Sequence, residues 1–213
     1  ANLPGKVASE MPDQAPLFVT QILTPKKRPD LLRRPRLVDF IHDHIDRKLI
    51  LISASAGYGK TSLLIDYVHD TDLPVCWLSV TQSARDPRVF LEYLIAAINH
   101  HFPQFGQDSL RLLQSNETMA DLSLFVGTLV NEIYDTIPDY FVVAIDDYHL
   151  VDSSRSVNQL VDTLVQHLPE NCHFIISSRS IPVLTPRGLA LLTARQQIAG
   201  LGVKELRFTA EEI

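Results

Sequence analysis

Residues 54–61 read Ala-Ser-Ala-Gly-Tyr-Gly-Lys-Thr, set between the apolar run Leu-Ile-Leu-Ile-Ser (49–53) and Ser62-Leu63-Leu64. A turn that holds phosphate needs backbone N–H groups turned inward, a helix N-terminus behind them, a lysine for the outer phosphates and a hydroxyl for magnesium. Gly57 and Gly59 permit the backbone angles and the close approach, while Ala56, Tyr58 and Ser62 supply the neighbouring amides. Lys60 is placed to reach β and γ phosphates, and Thr61 to ligate Mg2+. The first position of the usual G-x-x-x-x-G-K-[ST] pattern is Ala54, a departure from glycine.

A second strand ending in acid should complete the metal side, and Phe-Val-Val-Ala-Ile-Asp-Asp (141–147) offers Asp146 for that role. Asp147, next along, is the candidate to orient or activate an attacking water. Ser177, Ser178 and Arg179 end another apolar run, and Arg179 is the candidate sensor of a γ-phosphate. His149 follows the acid pair, but a lone histidine in such a loop is read as making a structural hydrogen bond and is left outside the site.

These residues need a scaffold that brings strand ends together. From Leu37 onward, helix-period and strand-like segments alternate, the pattern of a parallel sheet covered by helices on both faces. Strands are expected at 49–53, 74–79, 140–145 and 172–177, with a fifth at 203–208. Between them lie helical stripes such as Leu91, Leu94, Ile95 and Ile98, preceded by Asp86 as N-cap and Pro87 at the first helical position. The expected fold is α/β, a three-layer P-loop NTPase fold with a five-stranded parallel sheet in the order 5-1-4-3-2. Trp77, Cys76 and Cys172 sit within apolar runs and are expected in the core, the thiols as small hydrophobes.

The chain has 213 residues, 46% of them apolar, enough for one full core. Its net charge of -6 gives no whole-chain electrostatic reason to expect nucleic-acid binding. No apolar run approaches the roughly 20 residues that cross a bilayer, so the expected setting is the cytoplasm, with no membrane partner. Pro4, Pro12, Pro16, Pro25, Pro29 and Pro35 crowd the start, which argues for an extended arm over 1–30 and a nucleotide-binding domain over 31–213. The basic run at 25–36 lacks interleaved aromatics and is read as a solvated arm, with Arg34-Pro35-Arg36-Leu37 packing near a nucleotide base. Thr209 followed by Glu211 and Glu212 has the form of a helix start, which suggests a domain of a larger protein.

Taken together, the segments TPKKRPDLLRRPRL, SASAGYGKTSLL, PVCWLSV, DPRVFLEYLIAAI, AIDDYHLVD, HLPENCHFIISSR and ELRFTAEEI resemble the nucleotide-binding domain of MalT-like, LuxR-family transcription activators. These are large ATP-dependent regulators of the STAND class. The resemblance implies a switch that holds ADP at rest and ATP when active, with slow hydrolysis, Mg2+ and self-association in the ATP state. It also implies that DNA and inducer are met by domains outside this chain. On that basis Lys60 and Thr61 take the phosphate-loop positions, Asp146 and Asp147 the acid pair and Arg179 the sensor, with Pro35 and Arg36 beside adenine or ribose.

Two other functions fit the motifs. A catalytic ATPase or kinase would make turnover its purpose, yet no dense arginine cluster follows the Arg179 strand. A nucleotide-free interaction module would keep the scaffold alone, and nucleotide binding separates it from the switch.

Overall fold

The computed structural model describes residues 17–29, 32–115, 122–184, 186–210 and 212. Five strands form one parallel sheet: β1 (Leu49–Ser53), β2 (Val75–Ser79), β3 (Phe141–Asp146), β4 (Cys172–Ser178) and β5 (Ile198–Leu201). Their spatial order is β2-β3-β4-β1-β5, which read from the other edge is the expected 5-1-4-3-2. The interior strands β1, β3 and β4 are buried almost throughout, which explains why each reads as an unbroken apolar run.

Alternate side chains separate two cores. One face carries Ile50, Ile52, Trp77, Ala144 and Ile175 against α1 (Pro35–Asp43) and α2 (Lys60–Asp70). The other carries Leu51, Leu78, Val143, Ile145, Phe174 and Ile176 against α3 (Pro87–His101), α5 (Leu122–Thr136) and α6 (Arg155–His167). Trp77 is fully buried and its indole N–H donates to Ser79 Oγ at 2.8 Å. Cys76 and Cys172 are buried free thiols, and burial pushes both thiols above their ordinary pKa. Asp86 caps α3 as expected, accepting from the Arg88 amide at 2.8 Å.

Two features differ from the sequence reading. The fifth strand lies at Ile198–Leu201, and the expected strand at 203–208 instead contains a one-turn helix, α8 (Val203–Leu206). Glu205 accepts from the Gly202 amide at 3.0 Å and Leu206 is buried, so local capping and one anchor fix a turn there. A helix outside the expected set, α4 (Gln107–Gln114), packs against α5. The stretch after β4 adds α7 (Pro186–Ala194) as the short helix between prolines and glycines.

The described part of the arm lies against the domain. It makes a single 3-10 turn at Val19–Gln21, packs Ile22 on the core, and donates the Phe18 amide to Tyr93 Oη at 3.1 Å. Residues 1–16 and 30, within the expected arm, and Glu211, within the expected helix start, lie outside the described residues. The basic run is engaged and not merely solvated: Lys27 pairs with Asp66 at 2.7 Å and Arg33 with Asp70.

Candidate functional site

Strand β1 ends beside β4, where the Ala54 amide donates to the Ser178 carbonyl at 3.3 Å, and the chain then turns into α2. Gly57 at φ 88° and Gly59 at φ 73° hold the left-handed region, where a side chain is strained. Ala54, by contrast, has no positive φ and is buried, so the methyl group at the pattern's first position is packed into the core at no cost to the turn.

The ammonium of Lys60 folds back over this turn, donating to the carbonyls of Ala54 at 2.7 Å and Ser55 at 3.1 Å. Lys60 is 8% exposed, and desolvation pulls its pKa below the ordinary lysine value; Asp146 and Asp147 oppose that shift and Arg179 adds to it. Thr61, one residue on, donates its hydroxyl to Asp146 Oδ2 at 2.8 Å. Ser177 donates to the other oxygen, Asp146 Oδ1. Burial raises the Asp146 pKa, while these two hydroxyls work in the opposite direction and Asp147 adds to the rise.

Asp147 follows in the left-handed region at φ 59°, a conformation that aspartate tolerates better than most residues. This turn carries its carboxylate to the wall of a cavity of about 460 Å³ that Gly59, Lys60, Thr61 and Arg179 also line. Ala56, Gly57 and Ser62 belong to the same wall, whereas Tyr58 turns its ring to the core of the α1/α2 face. The structure therefore brings Lys60, Thr61, Asp147 and Arg179 to one cavity, with Asp146 directly behind Thr61.

Pro35 and Arg36 are not brought to that wall. Pro35 opens α1, and the Arg36 guanidinium is spent on the Glu205 and Arg207 carbonyls, both at 2.8 Å, and on Glu212 at 3.0 Å. Leu32 and Arg34, from the same segment, line the cavity instead. Asp66 and Phe208 line it too, and nothing in the sequence flagged them.

His149 also departs from expectation. Neither of its buried ring nitrogens has a hydrogen-bond partner among the described residues, and Nδ1 lies 3.7 Å from Asp147 Oδ1. Its pKa is lowered first by desolvation and then by Arg179, with Asp147 opposing. Its position three residues after Asp146 is the signal that could have placed it by the acid pair.

No family model matches the chain. The HTH-type transcriptional regulator MalT of Yersinia enterocolitica is 31% identical over 197 residues, covering 92% of this chain and 21% of that protein. MalT of Vibrio cholerae is 29% identical over 196 residues, again covering 91% of this chain and 21% of the relative. The chain is MalT-like. It spans about a fifth of the length of the curated MalT relatives it matches.

Solved structures place the MalT-like chain in the P-loop ATPase fold. A Pyrococcus horikoshii STAND protein with a tetratricopeptide repeat sensor superposes with a TM-score of 0.60 at 18% identity, over 89% of this chain and 25% of that one. The ORC1 protein of Aeropyrum pernix, solved in complex with DNA, gives a TM-score of 0.54 at 13% identity, over 86% of this chain and 49% of that one. At such identities the likeness concerns the fold.

Proposed function

We propose that this chain is the ATP- and ADP-binding switch domain of a transcription activator, with slow hydrolysis and nucleotide-controlled self-association. The observation that carries the reading is the convergence of Lys60, Thr61 and Asp146 where a glycine turn enters a helix. Lys60 would leave the Ala54 and Ser55 carbonyls for β and γ phosphate oxygens. Its lowered pKa reflects an ammonium withdrawn from water and bonded to neutral carbonyls, whose charge an anion would stabilise.

The residues fit a magnesium ion. Thr61 Oγ1 and the Asp146 carboxylate are hard oxygen donors that already meet at 2.8 Å, and magnesium commonly takes one or two such groups alongside substrate phosphates. When bound, the ion would neutralise phosphate charge. Asp147, at the wall, would orient water. Arg179, exposed at the end of β4, would pair with a γ-phosphate and so distinguish ATP from ADP.

Self-association, inducer sensing and DNA contact are assigned to the longer protein, with DNA met through a segment outside this chain. The net charge of -6 accords with that division. The cytoplasm is the proposed setting; among the described residues no helix is long and apolar enough to cross a membrane. The domain is proposed to run from residue 31, with 1–30 as an arm whose described part, 17–29, lies against it.

The test is to denature the purified chain and identify released nucleotide by chromatography. ADP or ATP in near-stoichiometric amount is expected. A chain that releases none, and takes up none after incubation with Mg2+ and either nucleotide, contradicts the reading.

A further inference from the structure

The cavity walled by Lys60, Thr61 and Arg179 has apolar lining as well. Leu32 and Phe208 supply it, each 53% exposed. One face of the Phe208 ring is taken by the Arg34 guanidinium, 4.4 Å from the ring centroid. Arg34 is itself fixed, donating to the Arg207 carbonyl at 2.9 Å and lying 3.4 Å from Glu212. Arg36 holds the same backbone from a second side through the Glu205 and Arg207 carbonyls.

We propose that Phe208 is the ledge on which the purine base stacks, held ready by Arg34 and Arg36. The inference rests on the nucleotide reading above and adds the residues that recognise the base. A half-exposed ring lining the same cavity as Lys60, with Arg34 on one face and Arg36 holding the adjoining backbone before any ligand arrives, offers a flat apolar face with little ordering cost left on binding. It also changes the role of Arg36, which acts as a positioning residue for Phe208 in place of direct contact with the nucleotide. The segment after β5 thereby becomes part of the site.

The test titrates ATP, ADP and inorganic tripolyphosphate, with Mg2+, into the unaltered chain, Phe208→Ala and Phe208→Tyr. Base stacking on an aromatic residue contributes about 1–3 kcal/mol, so Phe208→Ala should weaken ATP and ADP by one common factor of about fivefold or more. Tripolyphosphate affinity should stay unchanged, and Phe208→Tyr should retain nucleotide affinity. Unchanged ATP affinity in Phe208→Ala overturns the proposal, as does an equal loss of ATP and tripolyphosphate. If the unaltered chain binds tripolyphosphate as tightly as ATP, the base ledge falls and the phosphate site stands; if it binds neither, both fall.

Discussion

Thr61 Oγ1 donates to Asp146 Oδ2 over 2.8 Å, joining the first turn of α2 to the last residue of β3 across the intervening strand β4. Residues 85 positions apart in sequence thus present a hydroxyl and a carboxylate to the same point. The Ser177 hydroxyl closes the other carboxylate oxygen, so Asp146 is held in one orientation by neighbours on both sides.

Asp146 is 3% exposed, and desolvation raises its pKa. Its carboxylate therefore imposes no cost below the ordinary carboxylate range. The cost grows as pH rises from the ordinary carboxylate range to the raised value and is fully present above it. Asp146→Asn should raise the melting temperature of the ligand-free chain at pH 7, with one of the Thr61 and Ser177 hydroxyls still donating to the amide oxygen and the other reversing to accept from the amide nitrogen. The same variant should lose the magnesium-dependent part of its ATP affinity while binding ADP without metal about as before. A magnesium increment equal to that of the parent would remove Asp146 from the metal side.

Arg179 lines the cavity from the end of β4. A charge-assisted hydrogen bond contributes about 1.5–3 kcal/mol, so Arg179→Ala should weaken ATP by about tenfold or more while leaving ADP nearly unchanged. Parallel titrations with both nucleotides measure this. An equal ATP-to-ADP ratio in variant and parent would rule out a sensing role.

Glu132 is a contrasting case, a buried acid that serves the fold. Its carboxylate accepts from the Gly106 and Asp108 amides at 2.9 Å, the Ser109 amide at 3.0 Å and the Ser109 hydroxyl. It thereby caps α4, with Gly106 required at φ 100° where a Cβ would come within 2.8 Å of Ile95. Glu132→Ala should destabilise the chain by about 2–4 kcal/mol, since several buried donors lose their acceptor. Chemical denaturation reads the loss. Nucleotide affinity measured well below the melting temperature should not move.

Burial lowers the pKa of His101, His149 and His173. His173 Nδ1 lies 3.0 Å from the Arg47 carbonyl, which can only accept, so this nitrogen carries the proton of a neutral ring. A histidine with a depressed folded-state pKa favours the folded chain fully above the unfolded value near 6.5, and that contribution is lost as pH falls below it. Melting temperature should thus drop between pH 7 and pH 5, and His173→Gln should flatten the slope. A melting temperature that holds or rises on acidification would contradict the assignment.

The glycine turn that enters α2 was legible in the sequence because its pattern is local: two glycines, a lysine and a threonine within five residues, framed by a strand and a helix. Asp146 and Arg179 were legible for a related reason, each closing an apolar run. The β5 edge strand was not, because Ile-Ala-Gly-Leu is short, half-exposed and carries Gly200, whose backbone passes close to the Leu51 carbonyl. Helix α4 was hidden because its cap comes from Glu132 on another helix. The choice among Arg34, Pro35 and Arg36 is made by the segment 205–212, to which Arg36 is turned and through which Arg34 meets Phe208. No pattern within the arginine run encodes that.

The turn entering α2 at Lys60 is proposed to grip nucleotide phosphates. The most direct measurement is calorimetric titration of the nucleotide-stripped chain with ATP and Mg2+, in parallel with Lys60→Ala. Saturable binding at one site per chain is expected, weakened by about tenfold to a hundredfold in the variant, as befits the loss of a charge-assisted contact. Affinity that is identical in the two proteins would contradict it.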